Sequence, residues 1–110
     1  MENYAQTNGS KLCAQATWDF GGTQYYYCKI QIWVPSNFAD EPNLGFGLFD
    51  VNTRIAVLHI NENNYTDQWV TLPGSNNYGP VTKVQVSNNT GDTGYYVGLG
   101  AFNHSLEMVC

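Results

Sequence analysis

The chain has 110 residues, enough for one domain around one core and too few for a second catalytic domain. Charged residues make up 12% of it, against roughly 25% in an ordinary soluble domain, while aromatics reach 15% and there are 11 glycines: the composition of an all-β, turn-rich fold. Four Lys and Arg against nine Asp and Glu leave a net charge of -5, and the four cations (Lys11, Lys29, Arg54 and Lys83) lie far apart, which excludes a nucleic-acid footprint.

No apolar run approaches the roughly 18 residues needed to span a bilayer, and Met1-Glu2-Asn3 opens neither a signal peptide nor an amphipathic anchor, so no membrane insertion is expected. Low-complexity tracts, charge blocks and internal repeats are all missing. The chain reads as a single domain over 1–110, with 1–10 expected as a loose N-terminal segment. Turn signals recur at short intervals, from Asn8-Gly9-Ser10 and Gly21-Gly22 through Pro35-Ser36-Asn37, Glu41-Pro42-Asn43, Asp50 to Thr53, Asn61 to Asn64, Pro73 to Pro80 and Ser87 to Gly94 to Asn103 to Ser105. Strands of about 5 to 8 residues fill the gaps, and no segment carries the apolar spacing of a helix.

In chain order, Leu12, Ala14, Ala16 and Trp18 share one face of the first strand, leaving Cys13 opposite with Lys11 and Gln15. The clearest strand runs from Tyr26 to Val34, with Tyr26, Cys28, Ile30, Ile32 and Val34 inward and Tyr27, Lys29, Gln31 and Trp33 outward. Leu44, Phe46 and Leu48 alternate with Gly45 and Gly47, glycines that report strand curvature or close packing. Ala56, Leu58 and Ile60 alternate with Ile55, Val57 and His59, so this strand is ambiguous in parity. Val70 and Leu72 oppose Trp69 and Thr71, Val84 and Val86 oppose Lys83 and Gln85, Val97, Leu99 and Ala101 oppose Gly98 and Gly100, and Leu106, Met108 and Cys110 share a face. About eight short strands with two-faced patterning predict a single antiparallel β-sandwich of jelly-roll type, a closed small barrel being the second choice. The expected core is Trp18, Ile30, Ile32, Val34, Phe46, Leu48, Leu58, Val70, Val84, Val97, Leu99 and Leu106.

Three cysteines in a short acidic chain point to one disulfide, one thiol and an oxidising compartment. Parity favours Cys28 with Cys110, because both fall on inward faces, at the start of one strand and the end of another. Pairings through Cys13, and three reduced thiols of which two pack as small hydrophobes, stay open. None of the spacings is a zinc pattern. Calcium candidates Asp19, Asp40, Glu41, Asp50 and Asp92 lack EF-hand spacing, and Asp92 among its amide neighbours is one carboxylate where several are needed. No cofactor is expected.

Catalytic constellations are thin. His59 lies within an apolar run, where a histidine bonded to a neighbour is the ordinary reading, and His104 sits in a turn. There is no nucleophile elbow, and acid pairs such as Asp40 with Glu41 or Asp50 with Asp67 read as solvated loop carboxylates. The chain is therefore expected not to be an enzyme. Four sequons, at Asn8, Asn64, Asn88 and Asn103, arise readily by chance in an Asn-rich chain.

The outward face of the clearest strand is unusual. Tyr27, Lys29, Gln31 and Trp33 would form a strip about 20 Å long with two flat rings and hydrogen-bonding groups between them, which Trp69 and Tyr78 could extend. Rings beside polar groups are how proteins hold sugars, whose C-H faces stack while their hydroxyls bond. The alternative for Trp33 is a second minicore under a loop, or a partner chain.

The run Tyr26-Tyr27-Cys28-Lys29-Ile30-Gln31-Ile32-Trp33-Val34-Pro35-Ser36 resembles the "Y-x-V-x-V-W-V-P" strand of golvesin-type β-sandwich modules, also found in extracellular lyases. His59-Ile60-Asn61-Glu62-Asn63 and Gln68-Trp69-Val70-Thr71-Leu72-Pro73-Gly74 are similar to the family's "V-D-Q" and "G-W-V-x-L-G". Val84-Gln85-Val86-Ser87-Asn88 and the run from Gly94 to Phe102 resemble its closing "V-x-L-S-N" and "G-x-V-V-A-D-A-V", in the same order across residues 17 to 110. Gly100 departs from the usual Asp, and the Cys28 and Cys110 pair is more like small secreted actinobacterial relatives. The resemblance implies a secreted, non-catalytic module that binds a glycan or cell-envelope component. The competing expectation is a self-associating surface or filament subunit whose partners are copies of itself.

Overall fold

The computed structural model describes residues 3–8, 15–36, 41–87, 93–100 and 106–110, and for 3–8, 15, 87 and 93–100 it describes the backbone. Nine strands appear among them: β1 (Asn3–Asn8), β2 (Gln15–Asp19), β3 (Lys29–Val34), β4 (Leu44–Asp50), β5 (Thr53–Ile60), β6 (Gln68–Thr71), β7 (Lys83–Ser87), β8 (Thr93–Gly100) and β9 (Leu106–Val109). The only helical pieces among the described residues are two short 3-10 turns, at Glu62–Asn64 and Ser75–Asn77. A four-stranded antiparallel sheet, in the order β2-β7-β4-β5, packs on a three-stranded one, β6-β3-β9. β1 and β8 form a separate antiparallel ribbon, of which β8 lies close to β3. The architecture is a small β-sandwich, two sheets rather than one closed barrel.

The core lies between the sheets. Ile30, Ile32 and Val34 of β3 and Val70 of β6 meet Leu44, Phe46 and Leu48 of β4, Ile60 of β5, and Val84 and Val86 of β7, all buried, with Leu72 and Val81 closing the ends. Alternation sorts them: β3 shows buried residues at every second position, as a sheet with one face on a core requires. Trp18, Leu58 and Leu106, expected inside, are partly buried and pack against the same cluster, while Val97 and Leu99 lie outside the residues whose side chains are described. The glycines of β4 follow from close packing: a Cβ on Gly45 would come within 3.1 Å of His59 Nε2, and one on Gly47 within 3.0 Å of Phe49 Cε1.

Polar side chains complete the frame where strands end. The Ile30 N–H donates to Ser75 Oγ at 2.9 Å, while the Ile30 carbonyl accepts from the Leu72 N–H at 2.8 Å, so β3 stays bonded past the end of β6. The buried Thr82 hydroxyl accepts from the Val51 N–H at 2.7 Å and ties the β4-β5 hairpin to the strand entering β7. Val51 itself has φ 56, the positive value that a two-residue loop between paired Asp50 and Thr53 demands at its first position.

Two expectations change. Asn3–Asn8, expected as part of a loose segment, is strand β1, because its backbone pairs with β8 rather than because its own side chains alternate. The clearest strand does not begin at Tyr26. The segment before it is bound to residues 78–81, through the Tyr25–Val81 bridge and the Tyr27 N–H donating to the Tyr78 carbonyl at 3.0 Å, and Tyr27 adopts φ 56. That left-handed residue resets the alternation, so Tyr26, expected inward, is 52% exposed and Tyr27 63%.

The cysteine pairing is Cys28–Cys110, with Cα atoms 4.2 Å apart and 82 residues of separation. Its origin is register: Lys29 lies opposite Val109 in the β3-β9 ladder, so continuing the pairing one step places Cys28 opposite Cys110. Cys13 lies outside the described residues.

Two stability measurements check this frame. Ile32→Ala, at the centre of the buried row, should lower stability by about 2–5 kcal/mol in denaturant unfolding, and an unchanged midpoint would mean the row does not face the core. Replacing Cys28 and Cys110 together by Ser should cost about 2–4 kcal/mol, and peptide mapping without reductant should find that bridge and no linkage between Cys13 and either of them.

Candidate functional site

The outer face of the three-stranded sheet collects what the parity of three strands sends away from the core. Trp33 of β3 lies directly opposite Trp69 of β6, and directly opposed residues of an antiparallel pair share a face. Their ring centroids are 5.6 Å apart with planes at 76°, the edge-to-face arrangement that aromatic quadrupoles favour. Trp69 is 37% exposed and Trp33 is half-buried against it. Two residues along, Gln31 lies opposite Thr71 on one side and Glu107 on the other, and Gln31 Nε2 donates to Thr71 Oγ1 at 3.4 Å. Lys29, exposed, comes next, opposite Val109.

The face therefore runs from an indole corner to a group of amide, hydroxyl, carboxylate and ammonium side chains. Planar apolar rings beside donors and acceptors can stack on the C-H face of a sugar and bond its hydroxyls. Thr71 and Glu107 were not singled out from sequence, yet the alternation of β6 and β9 already places them outward.

Of the five residues expected to bind, the structure brings Gln31, Trp33 and Trp69 together and separates Tyr27 and Tyr78 from them. Tyr27 stands two residues before the start of β3, outside its ladders, in a left-handed conformation and 63% exposed. It pairs instead with Tyr26, ring centroids 6.3 Å apart. Tyr78 is half-buried, packs against the core and holds Tyr27 in place through its carbonyl. The described side chains thus form a cross-strand cluster around Trp33 and Trp69 at one end of β3 and the Tyr26–Tyr27 pair before its other end.

The remaining candidates lie elsewhere. His59 is exposed on the outer face of the other sheet, beside Gly45. Glu41, expected as a solvated loop carboxylate, is fully buried, its Oε1 accepting from the Asn43 N–H at 3.2 Å and its carbonyl accepting from the N–H of the equally buried Glu62 at 2.9 Å. A carboxylate that bonds its own turn can be enclosed when a neighbouring segment folds over it. Among the described residues no group of three or more His, Cys, Asp or Glu is arranged to hold a metal ion. Asp40, Asp92 and His104 lie outside the described residues. No described helix is long and apolar enough to cross a membrane.

Comparison with protein-family models, with curated proteins and with solved structures finds no match to this chain.

Two indoles this close couple electronically. The far-ultraviolet circular dichroism of the native protein should contain an exciton couplet that Trp69→Phe abolishes while the melting temperature changes little, and a couplet surviving that substitution would show that the Trp33–Trp69 pair is not its source.

Proposed function

We propose that this protein is a secreted, non-catalytic binding module that holds a carbohydrate on the outer face of the β6-β3-β9 sheet, with Trp33 and Trp69 as the stacking surface. The observation that carries the reading is the cross-strand indole pair, exposed at Trp69 and continued by Gln31 and Thr71 on the same face. A tryptophan pair on the solvent side of a sheet adds nothing to the core behind it, whereas it offers a sugar ring two surfaces at a steep angle and a row of hydrogen-bonding groups beside them. The low charge of the chain suits a neutral ligand better than an anionic one. The disulfide fits an oxidising, extracellular setting. The order of strand motifs that resembles golvesin-type modules supports the same class.

The test is retention on insoluble polysaccharides: cellulose, chitin, xylan and purified cell-wall sacculi. Wild type should be retained by at least one of them, and Trp33→Ala and Trp69→Ala should each weaken retention about tenfold or more while unfolding remains cooperative. Tyr27→Ala, at the far end of β3, should leave binding of short oligosaccharides unchanged. Wild type passing through all four materials, or both tryptophan variants binding normally, would overturn the proposal.

A further inference from the structure

The four-stranded sheet ends on β5, and among the described residues β5 pairs only with β4. Proteins protect such an edge by keeping the strand short, by placing charges or proline on it, by a bulge that twists it away, by turning a charge inward or by covering it. β5 is eight residues long, Thr-Arg-Ile-Ala-Val-Leu-His-Ile, and its charge at Arg54 and its ladder irregularity between Arg54 and Ala56 both lie at its start, so residues 56–60 carry no Lys, Arg, Asp, Glu, Pro or bulge. β2, at the other edge of the same sheet, has five residues and ends on Asp19, and the two edge strands of the opposite sheet, β6 and β9, have four each.

The shape of β5 also selects a register. A shift in the ladder falls between Leu48 and Phe49 of β4, where Leu48 pairs with Ala56 and Phe49 with Arg54, so Ile55 is the extra residue of a bulge. Beyond it, residues 56–60 are regular: Ala56, Leu58 and Ile60 lean to the core, while Val57, 38% exposed, and His59 face outward. Two identical strands meeting antiparallel about a twofold axis must place like faces opposite each other. An axis at Leu58 satisfies this over the whole regular stretch and leaves the bulge and Arg54 outside it. Ala56 then lies opposite the second copy's Ile60 and Leu58 opposite its own equivalent, extending the apolar layer, and Val57 lies opposite His59. None of the chain's nine acids falls on β5, so two copies of charge -5 can meet here without opposing carboxylates.

We propose that β5 is a self-association edge, at which a second copy of this chain adds its own β5 antiparallel, centred on Leu58, to make one continuous eight-stranded sheet. This surface belongs to the sheet opposite the one that carries Trp33 and Trp69, so the two proposals stand or fall separately.

Sedimentation of the full chain between about 5 and 500 µM should show a monomer passing to a dimer as concentration rises. Val57→Asp combined with His59→Asp places like charges opposite each other twice in the dimer and touches only outward positions of the monomer, so it should weaken dimerisation about tenfold or more. Val57→Lys combined with His59→Asp makes the same two positions complementary across the axis and should restore it. Trp33→Ala should dimerise like wild type. A wild type that remains monomeric throughout, or a Val57→Asp/His59→Asp protein that folds by circular dichroism and dimerises as wild type does, would overturn the proposal; a dimer not recovered by the complementary pair would overturn the register.

Discussion

The binding of residues 25–27 to residues 78–81 decides where β3 begins, and the rest of the three-stranded sheet follows from that point. Backbone bonds from Tyr25 to Val81 and from Tyr27 to Tyr78 hold the segment while Tyr27 takes a left-handed conformation that bulky residues rarely adopt. From Lys29 onward the strand alternates without interruption, so Ile30, Ile32 and Val34 enter the core and Gln31 and Trp33 leave it. Had the alternation run unbroken from Tyr26, a tyrosine would have to be buried at the edge of the sandwich. The local strain is offset by the ladder bonds and the disulfide that follow immediately at Cys28.

A chain of this size has one core to rely on, and here it is made largely of branched aliphatic side chains around Phe46. Of the aromatic side chains described, Trp18, Phe20, Tyr25, Tyr65 and Tyr78 pack against that core, whereas Tyr26, Tyr27, Trp33 and Trp69 stand away from it, exposed or half-buried. The division matters for function, since aromatic surface that is not needed for the core is available for contact with something outside the chain. The bridge between Cys28 and Cys110 joins the start of β3 to the end of β9, and so fastens the β3-β9 ladder at the end away from Trp33.

The two proposed surfaces are on opposite sheets. Binding at the indole face uses side chains, whereas pairing at β5 uses backbone groups that any antiparallel strand leaves at an edge, with side chains setting only the register. A twofold dimer through β5 would present two indole faces from one assembly, and paired sites of modest affinity gain avidity on a repetitive polymer.

Much of this was readable in the sequence, for a physical reason. Period-2 alternation is a local property, so the inward rows of β3, β4 and β7, the all-β class and the outward placement of Gln31, Trp33 and Trp69 follow from neighbouring residues alone, and parity also singled out Cys28 and Cys110. What local pattern cannot contain is pairing between distant segments. The left-handed turn at Tyr27 depends on a segment some fifty residues away, β1 is a strand only because β8 lies beside it, and the bulge at Ile55 exists only relative to β4. The burial of Glu41 depends likewise on Glu62, and the meeting of Trp33 with Trp69 on a ladder between strands far apart in the chain. Outside β5, whose two faces are both largely apolar, the sequence by itself determined which face the residues of a strand took; the tertiary structure decided where strands began and which of them met, because backbone hydrogen bonds carry no side-chain signature.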